Sequence, residues 1–165
     1  MPNTTFIRRL TETDLGAVAG LWHDAWHDGH GACLPAAIVA ERKPSTFVER
    51  LGPLSEGSFV AERDGAIVGF AAIEGNEVDQ LYVAADMRGT GTAAILLAAV
   101  EAELVRRGVS DAVIQCSQGN DRAHRFYSRN GWTDTGLRDL PLWTPDGRHE
   151  THPTHVFTKH LSSLD

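Results

Sequence analysis

The hydrophobic period of this chain changes at Ser58, and that change limits the possible folds more than any other feature. Before it, Leu15, Val18, Leu21, Trp22, Ala25 and Trp26 recur at helical spacing. Thr11 to Asp14, just upstream, sets a hydroxyl three residues before a carboxylate, a helix-start pattern. After it, Ser58 to Glu62 and Ala66 to Ile73 alternate with period two around Asp64-Gly65, a strong hairpin turn. A third run, Glu77 to Val83, follows Gly75-Asn76. These three segments predict an antiparallel meander behind a helical opening.

The remaining elements follow from the same signals. Thr5 to Arg9 is a short, partly apolar run that could open a sheet. His27-Asp28-Gly29-His30-Gly31 is expected to break the first helix; Pro35 begins a second helical stretch, interrupted at Pro44 and resumed through Phe47, Val48 and Leu51. Arg88 to Ala93 opens a long helix striped by Ile95, Leu96, Ala99, Val100, Ala102, Leu104 and Val105, with Gly108 as its stop. Ala112 to Cys116 is read as a strand, Asp121 to Arg129 as a helix stopping at Asn130-Gly131, and Trp132 to Thr135 as a strand. Leu137 to Pro153, polar and rich in Pro and Gly, is expected to be a long loop before a last strand at Thr154 to Lys159. The order is that of a mixed α/β fold, with a mostly antiparallel first half.

A chain of 165 residues is one domain's worth, so residues 1–165 are expected to form a single domain. No run of about 18 apolar residues exists, which argues against a membrane span. Met1 to Thr5 lacks the basic stretch and apolar block of a secretory signal, so a cytoplasmic address is the default. The formal charge of −7 argues against a general nucleic-acid binder and is compatible with a cationic substrate. Cys33 and Cys116 are expected to be reduced thiols outside any nucleophilic arrangement. His23, His27 and His30 form one histidine cluster and His149, His152 and His155 another. Neither has a Cys or acidic partner at a known ligand spacing, so no metal is expected.

The loop Arg88 to Ala94 lies between a strand and a helix, where orphan amides and the helix dipole make an anion site. Gly89 and Gly91 would let the backbone approach a bulky pyrophosphate, and Arg88 could add a charge-assisted bond. A P-loop is excluded because the required lysine is missing. A dinucleotide fingerprint matches Gly89-x-Gly91-x-x-Ala94 but fails in context. Four residues, Ala84 to Met87, separate its glycines from the strand, and the acidic residue that should end the next strand instead starts it as Asp111.

Leu81-Tyr82-Val83 followed by Arg88-x-x-Gly91-x-Ala93 resembles the acetyl-coenzyme A motif of the GNAT superfamily of N-acetyltransferases. About thirty residues on, Asn120-Asp121-Arg122-Ala123-His124-Arg125-Phe126-Tyr127, ending at Gly131-Trp132, is similar to the same family's second block, with Trp132 replacing the usual Phe. Both stand in the family's order and separation, and the resemblance covers roughly Phe59 to Thr135. Ala85 departs from the family, which often has proline before the arginine.

The resemblance implies a central, mostly antiparallel sheet of six to seven strands flanked by helices and splayed where acetyl-coenzyme A, the co-substrate, enters. It implies that Leu81, Tyr82 and Val83 meet the pantetheine and acetyl carbonyl through the backbone. Arg88, Gly89, Thr90, Gly91, Thr92, Ala93 and Ala94 would cradle the pyrophosphate, Asn120 would bond the pantetheine arm, and Tyr127 would act as general acid. It implies acetyl transfer to a primary amine by direct attack in a ternary complex. The acceptor could be a small molecule or a protein or peptide amine, and a silent coenzyme A-binding sensor is the reading from another class. Homodimers are common in the family. Glu77 and Asp79 lie on one face of their strand by alternation, and either could deprotonate or bind the amine unless a bulge changes the facing. Trp26, His27 and His30 are candidates to border the acceptor pocket, and Trp22 and Trp143 could line it too, but aromatic residues at helical spacing are more often core, and at least one of Trp22 and Trp26 is expected there. His124 is read as a surface residue without a role.

Overall fold

Asp64 at φ 53° and Gly65 at φ 78° close the hairpin that the Asp-Gly pair announces, both in the left-handed region its turn requires. The computed structural model describes residues 4–162. Met1, Pro2 and Asn3, on which the reading of the N-terminus partly rests, lie outside the described residues. Around the turn run β2 (Ser58–Arg63) and β3 (Ala66–Glu74), and β4 (Glu77–Val83) completes the meander. With β1 (Thr5–Arg9), β5 (Asp111–Ser117), β6 (Thr133–Pro141) and β7 (Thr151–His160) they form one seven-stranded sheet. Its order is β1-β2-β3-β4-β5-β7-β6, and every pairing is antiparallel except β4 with β5.

Helices cover both faces. The apolar stripe read on the first helix buries Val18, Trp22 and Trp26 of α1 (Leu15–His30). They pack with Ile38 of α2 (Ala36–Glu41) and with Phe47 and Leu51 of α3 (Pro44–Leu54) against Val60, Phe70 and Ala72. On the other face, Leu96, Leu97, Val100 and Leu104 of α4 (Thr92–Arg106) and Tyr127 of α5 (Asp121–Arg129) pack against Phe59, Ala71, Ile114 and Phe157. Because both faces are covered, successive residues of β2 and β3 are buried, Ser58 to Ala61 and Val68 to Ile73, so their period of two does not divide a core face from a solvent face.

The first helix stops within the expected stretch His27 to Gly31, at its far end: α1 runs through Gly29 to His30 and gives way at Gly31, whose amide still bonds His27 O. One glycine costs a helix only about 1 kcal/mol, which the buried tryptophans outweigh. The supposed loop 137–153 is strand at both ends, leaving only residues 142–150 as connector. The proline at position 141 is tolerated because β6 is the sheet's outermost strand and its missing N–H breaks no inner ladder.

Charge pairs fasten the first strand. Arg8 reaches Asp14 at 2.7 Å, and the same carboxylate accepts from the Thr11 amide at 2.7 Å, as the helix-start pattern anticipates. Arg9 meets Glu103 of α4 at 3.0 Å, and Arg106 and Arg107 bond the same buried carboxylate. Hydrogen bonds from Arg106 lead the effects that hold Glu103 at about 2, below its ordinary 4.5. A depressed carboxylate stabilises the fold above its unfolded pKa and loses that contribution as pH falls through its folded value. Glu103→Gln should therefore cost roughly 1–2 kcal/mol at neutral pH, discounted because two arginine partners are partly solvent-exposed. Urea unfolding should show that difference shrinking as pH drops from about 4.5 toward about 2.

Candidate active site

The site begins with a break in sheet regularity. Ala72 pairs with Gln80 but Ile73 pairs with Val78, so Asp79 is an extra residue bulged out of β4. Upstream of the bulge, Val113 N donates to Asn76 O, so even-numbered backbone groups face β5. Downstream, Ala84 N donates to Val68 O, so even-numbered groups face β3. By the period of two, the amides and carbonyls of Leu81 and Val83 now face β5. Yet β5 has moved away: the two strands register only at Glu77 with Val113. The parting opens a cleft of about 450 Å³, lined by residues 78–83 on one side and Ile114, Gln115 and Cys116 on the other.

The N-terminus of α4 points into the same cleft, which Arg88, Gly89, Gly91, Ala93 and Ala94 line. The first helical bond of the turn runs from Ile95 N to Gly91 O at 3.1 Å, so the amides of residues 92–94 lack an intrahelical acceptor. Gly89 and Gly91 have φ of 76° and 84°, and a Cβ added at either would meet no atom of the protein within 4 Å. Within the chain itself the glycines are therefore required by their left-handed backbone, not by crowding. Thr90 and Thr92 do not line the cleft; their hydroxyls bond each other at 2.8 Å, and Thr92 is buried. Arg88 pairs with Asp28 of α1, and Arg122 reaches the same carboxylate at 3.3 Å. Two guanidinium groups thus stand together at the cleft, since Arg122 lines it as well.

Asn120 caps α5, its Oδ1 accepting from Ala123 N at 3.4 Å, while its side chain lines the cleft. Tyr127 lies two turns on and also faces the cleft. Burial pushes its phenol far above the ordinary tyrosine value, so it holds its proton throughout the neutral range. Cys116 lies alongside, its thiol pushed up to about 12 by burial, which leaves it a poor nucleophile.

The bulge separates the two candidate carboxylates. Asp79 lines the cleft and Glu77 does not. Glu77 Oε2 instead accepts from Gln115 Nε2 at 3.4 Å, across the last point where β4 and β5 touch. Burial first, then the Asp79 and Glu74 charges, raise Glu77 to about 7. A half-buried carboxylate of that affinity can take up a proton at neutral pH.

Of the three candidate substrate residues Trp26, His27 and His30, only His30 lines the cleft. Burial lowers it to about 4, and its Nδ1 lies 3.1 Å from Trp26 O, so it is a neutral wall at physiological pH. Trp26 stacks on His30 from the core, and His27 Nε2 bonds Arg42 O at 2.7 Å; both support the wall from behind. Trp22 is core, and Trp143 packs under the guanidinium groups of Arg42 and Arg50.

The cleft also includes Gln80, Cys116, Arg122 and Phe126, which the sequence reading did not single out. A cue existed for Arg122, since it stands two residues after the asparagine of the second motif. His124 is no idle surface residue: its Nε2 bonds Asp134 Oδ2 at 2.9 Å. Among the described residues no helix is long and apolar enough to cross a membrane.

Comparison with known proteins agrees with this arrangement. Residues 16–132 match the Acetyltransferase (GNAT) family. An uncharacterized N-acetyltransferase of Mycobacterium tuberculosis is 32% identical over 124 residues, covering 67% of this chain and 80% of that protein. A GCN5-related N-acetyltransferase of Rhodopseudomonas palustris superposes with a TM-score of 0.77 at 21% identity, over 96% of each chain. The PaiA N-acetyltransferase of Thermoplasma acidophilum, solved with coenzyme A, gives 0.71 at 16% identity, over 95% of this chain and 99% of that one. With a splayed parallel pair, a glycine-opened helix and a family match across most of its length, this chain belongs to the GNAT acetyltransferase family and is an N-acetyltransferase.

Proposed function

We propose that the protein transfers the acetyl group of acetyl-coenzyme A to the primary amine of a small molecule, by direct attack with both substrates bound. One observation carries the reading. A single cleft joins a helix N-terminus flanked by two arginines, an unpaired strand edge at Leu81 and Val83, and a protonated phenol at Tyr127. The first suits a diphosphate, the second an amide-bearing arm and a thioester carbonyl, the third a departing sulfur. The residues present therefore fit the diphosphate, the amide-bearing arm and the thioester of the co-substrate.

The chain's own groups divide the work. A primary amine of ordinary pKa near 10 arrives protonated, so it must lose a proton before it can attack. Glu77, raised to about 7, is taken as the final acceptor; it does not line the cleft itself, so the proton would reach it by way of Asp79, which does, and water. As the nitrogen bonds to the carbonyl carbon, the Leu81 amide meets the negative charge that gathers on oxygen. The carbon–sulfur bond then breaks as Tyr127 gives its proton to the departing thiolate, whose ordinary affinity is about 8.5 by analogy with cysteine. The attacking nitrogen sheds its remaining extra proton to water, from which the phenolate regains one. No bond to the enzyme forms.

A small acceptor is favoured because the connector 142–150 is fastened to the end of α2, where Arg42 packs over the Trp26 ring that backs His30 of the cleft. Arg148 reaches Glu41 at 2.6 Å, and Arg42 donates to Trp143 O at 2.5 Å. These ties hold the His30 side of the cleft in place from behind, which suits a compact acceptor better than an extended peptide.

Tyr127→Phe should lower kcat about a hundredfold while KM for acetyl-coenzyme A changes little, read as free thiol released during an amine screen. An unchanged kcat would remove the phenol from the reaction. For Glu77, kcat/KM should rise with pH through about 7, because the carboxylate must be ionised to accept a proton. Glu77→Gln should abolish that limb in a pH–rate profile. The same change should raise stability at neutral pH, since a carboxyl whose folded pKa is raised loses stability as it ionises.

A further inference from the structure

Behind the cleft, α5 rests on the β6–β7 hairpin through three side chains that the reaction does not use. His124 of α5, Asp134 of β6 and His155 of β7 bring their ligand atoms within 4.8 Å of one another. We propose that these three residues form a binding site for one divalent transition-metal ion of the zinc class, which pins the helix carrying Asn120 and Tyr127 to the sheet.

Local structure aims the carboxylate. The β6–β7 register slips between Asp134 and Leu137, and Gly136 in this bulge has φ 116°, a conformation that disfavours side chains. Gly136 N donates to Asp134 Oδ1 at 2.9 Å, so the other oxygen, Oδ2, is turned toward the two rings. A backbone donor on the outer oxygen of a ligating carboxylate is the kind of support that metal sites use to fix a ligand. Phe157 lies beneath His124, with ring centroids 4.9 Å apart, and gives the pair an apolar floor.

Hydrogen bonding alone leaves this cluster incomplete. Asp134 Oδ2 is 2.9 Å from His124 Nε2, with which it bonds, and 2.8 Å from His155 Nδ1. Despite that distance, the buried His155 Nδ1 makes no well-aligned hydrogen bond. The oxygen must therefore lie off the in-plane axis of the ring nitrogen, and that axis is where a metal ion would sit. Ions of this class take neutral imidazole nitrogen and carboxylate oxygen at about 2.0–2.2 Å, and zinc accepts three protein ligands with water as the fourth. Two imidazoles and one carboxylate favour zinc, cobalt or nickel over magnesium or calcium, which prefer all-oxygen sites. In sequence the ligands are ten and twenty-one residues apart on three elements, so no local spacing reveals them.

The test needs no turnover. Protein freed of metal with a chelator is titrated with Zn²⁺ by calorimetry and with Co²⁺ by visible absorption. The wild type should take up one equivalent, with a raised melting temperature and the d–d bands of a nitrogen- and oxygen-ligated cobalt. His155→Ala should weaken binding about a hundredfold or more, and His124→Gln should do the same, while His23→Ala leaves it unchanged. His124 is the more exposed ligand, so its variant decides the matter if His155→Ala does not fold. Absence of saturable binding to the wild type, or binding untouched by His124→Gln, would overturn the proposal in favour of a hydrogen-bonded lash alone. Neither result depends on the acetyl-transfer reading.

Discussion

Everything in this site follows from one unmade set of hydrogen bonds, the ladder that β4 and β5 begin at Glu77 and Val113 and then abandon. Adjacent strands normally satisfy each other's backbone groups, and an exposed edge costs a fold both stability and resistance to aggregation. Here the edge lies inside the sheet, beneath α4 and α5, where only a ligand or water can satisfy it. The bulge at Asp79 decides which groups are left over: by switching the parity of β4, it gives Leu81 and Val83, not Gln80 and Tyr82, the free amides.

The two helices that flank the gap are built to serve it. Gly91 starts α4 in a left-handed conformation, which turns the free first-turn amides toward the cleft. Asn120 starts α5 by capping it with its own side-chain oxygen while its amide nitrogen stays available. The same burial that packs α5 on the sheet keeps the Tyr127 phenol protonated. Packing and chemistry are one arrangement: a phenol less enclosed would be closer to its ordinary affinity, and Glu77 owes its raised affinity first to the same kind of enclosure.

Much of this was legible in the sequence, for physical reasons. Period-two runs with an Asp-Gly turn dictate a meander, and a glycine-rich junction before an apolar-striped helix dictates free amides at its start. The expected splay rested on the resemblance of the two motifs to a family, and the structure has it. What was hidden depends on register and on contacts between distant elements. The facing of Glu77 and Asp79 turned on a one-residue bulge that alternation cannot show. The strand from Leu137 to Pro141 was obscured by a proline that an edge position tolerates. His124 seemed unemployed because its partners arrive from β6 and β7. Trp22 and Trp26 were open to two readings because an aromatic stripe looks alike whether it faces a ligand or a core, and here it faces the core.

In the proposed reaction the unpaired edge of β4 and the start of α4 hold the two ends of one thioester nucleotide. A structure of the protein with acetyl-coenzyme A tests it most directly. The diphosphate should lie on the amides of residues 89–94, the acetyl carbonyl on the backbone of Leu81 or Val83, and the sulfur within hydrogen-bond reach of the Tyr127 phenol. Nucleotide bound elsewhere, or a β4–β5 ladder that closes when the nucleotide binds, would contradict it.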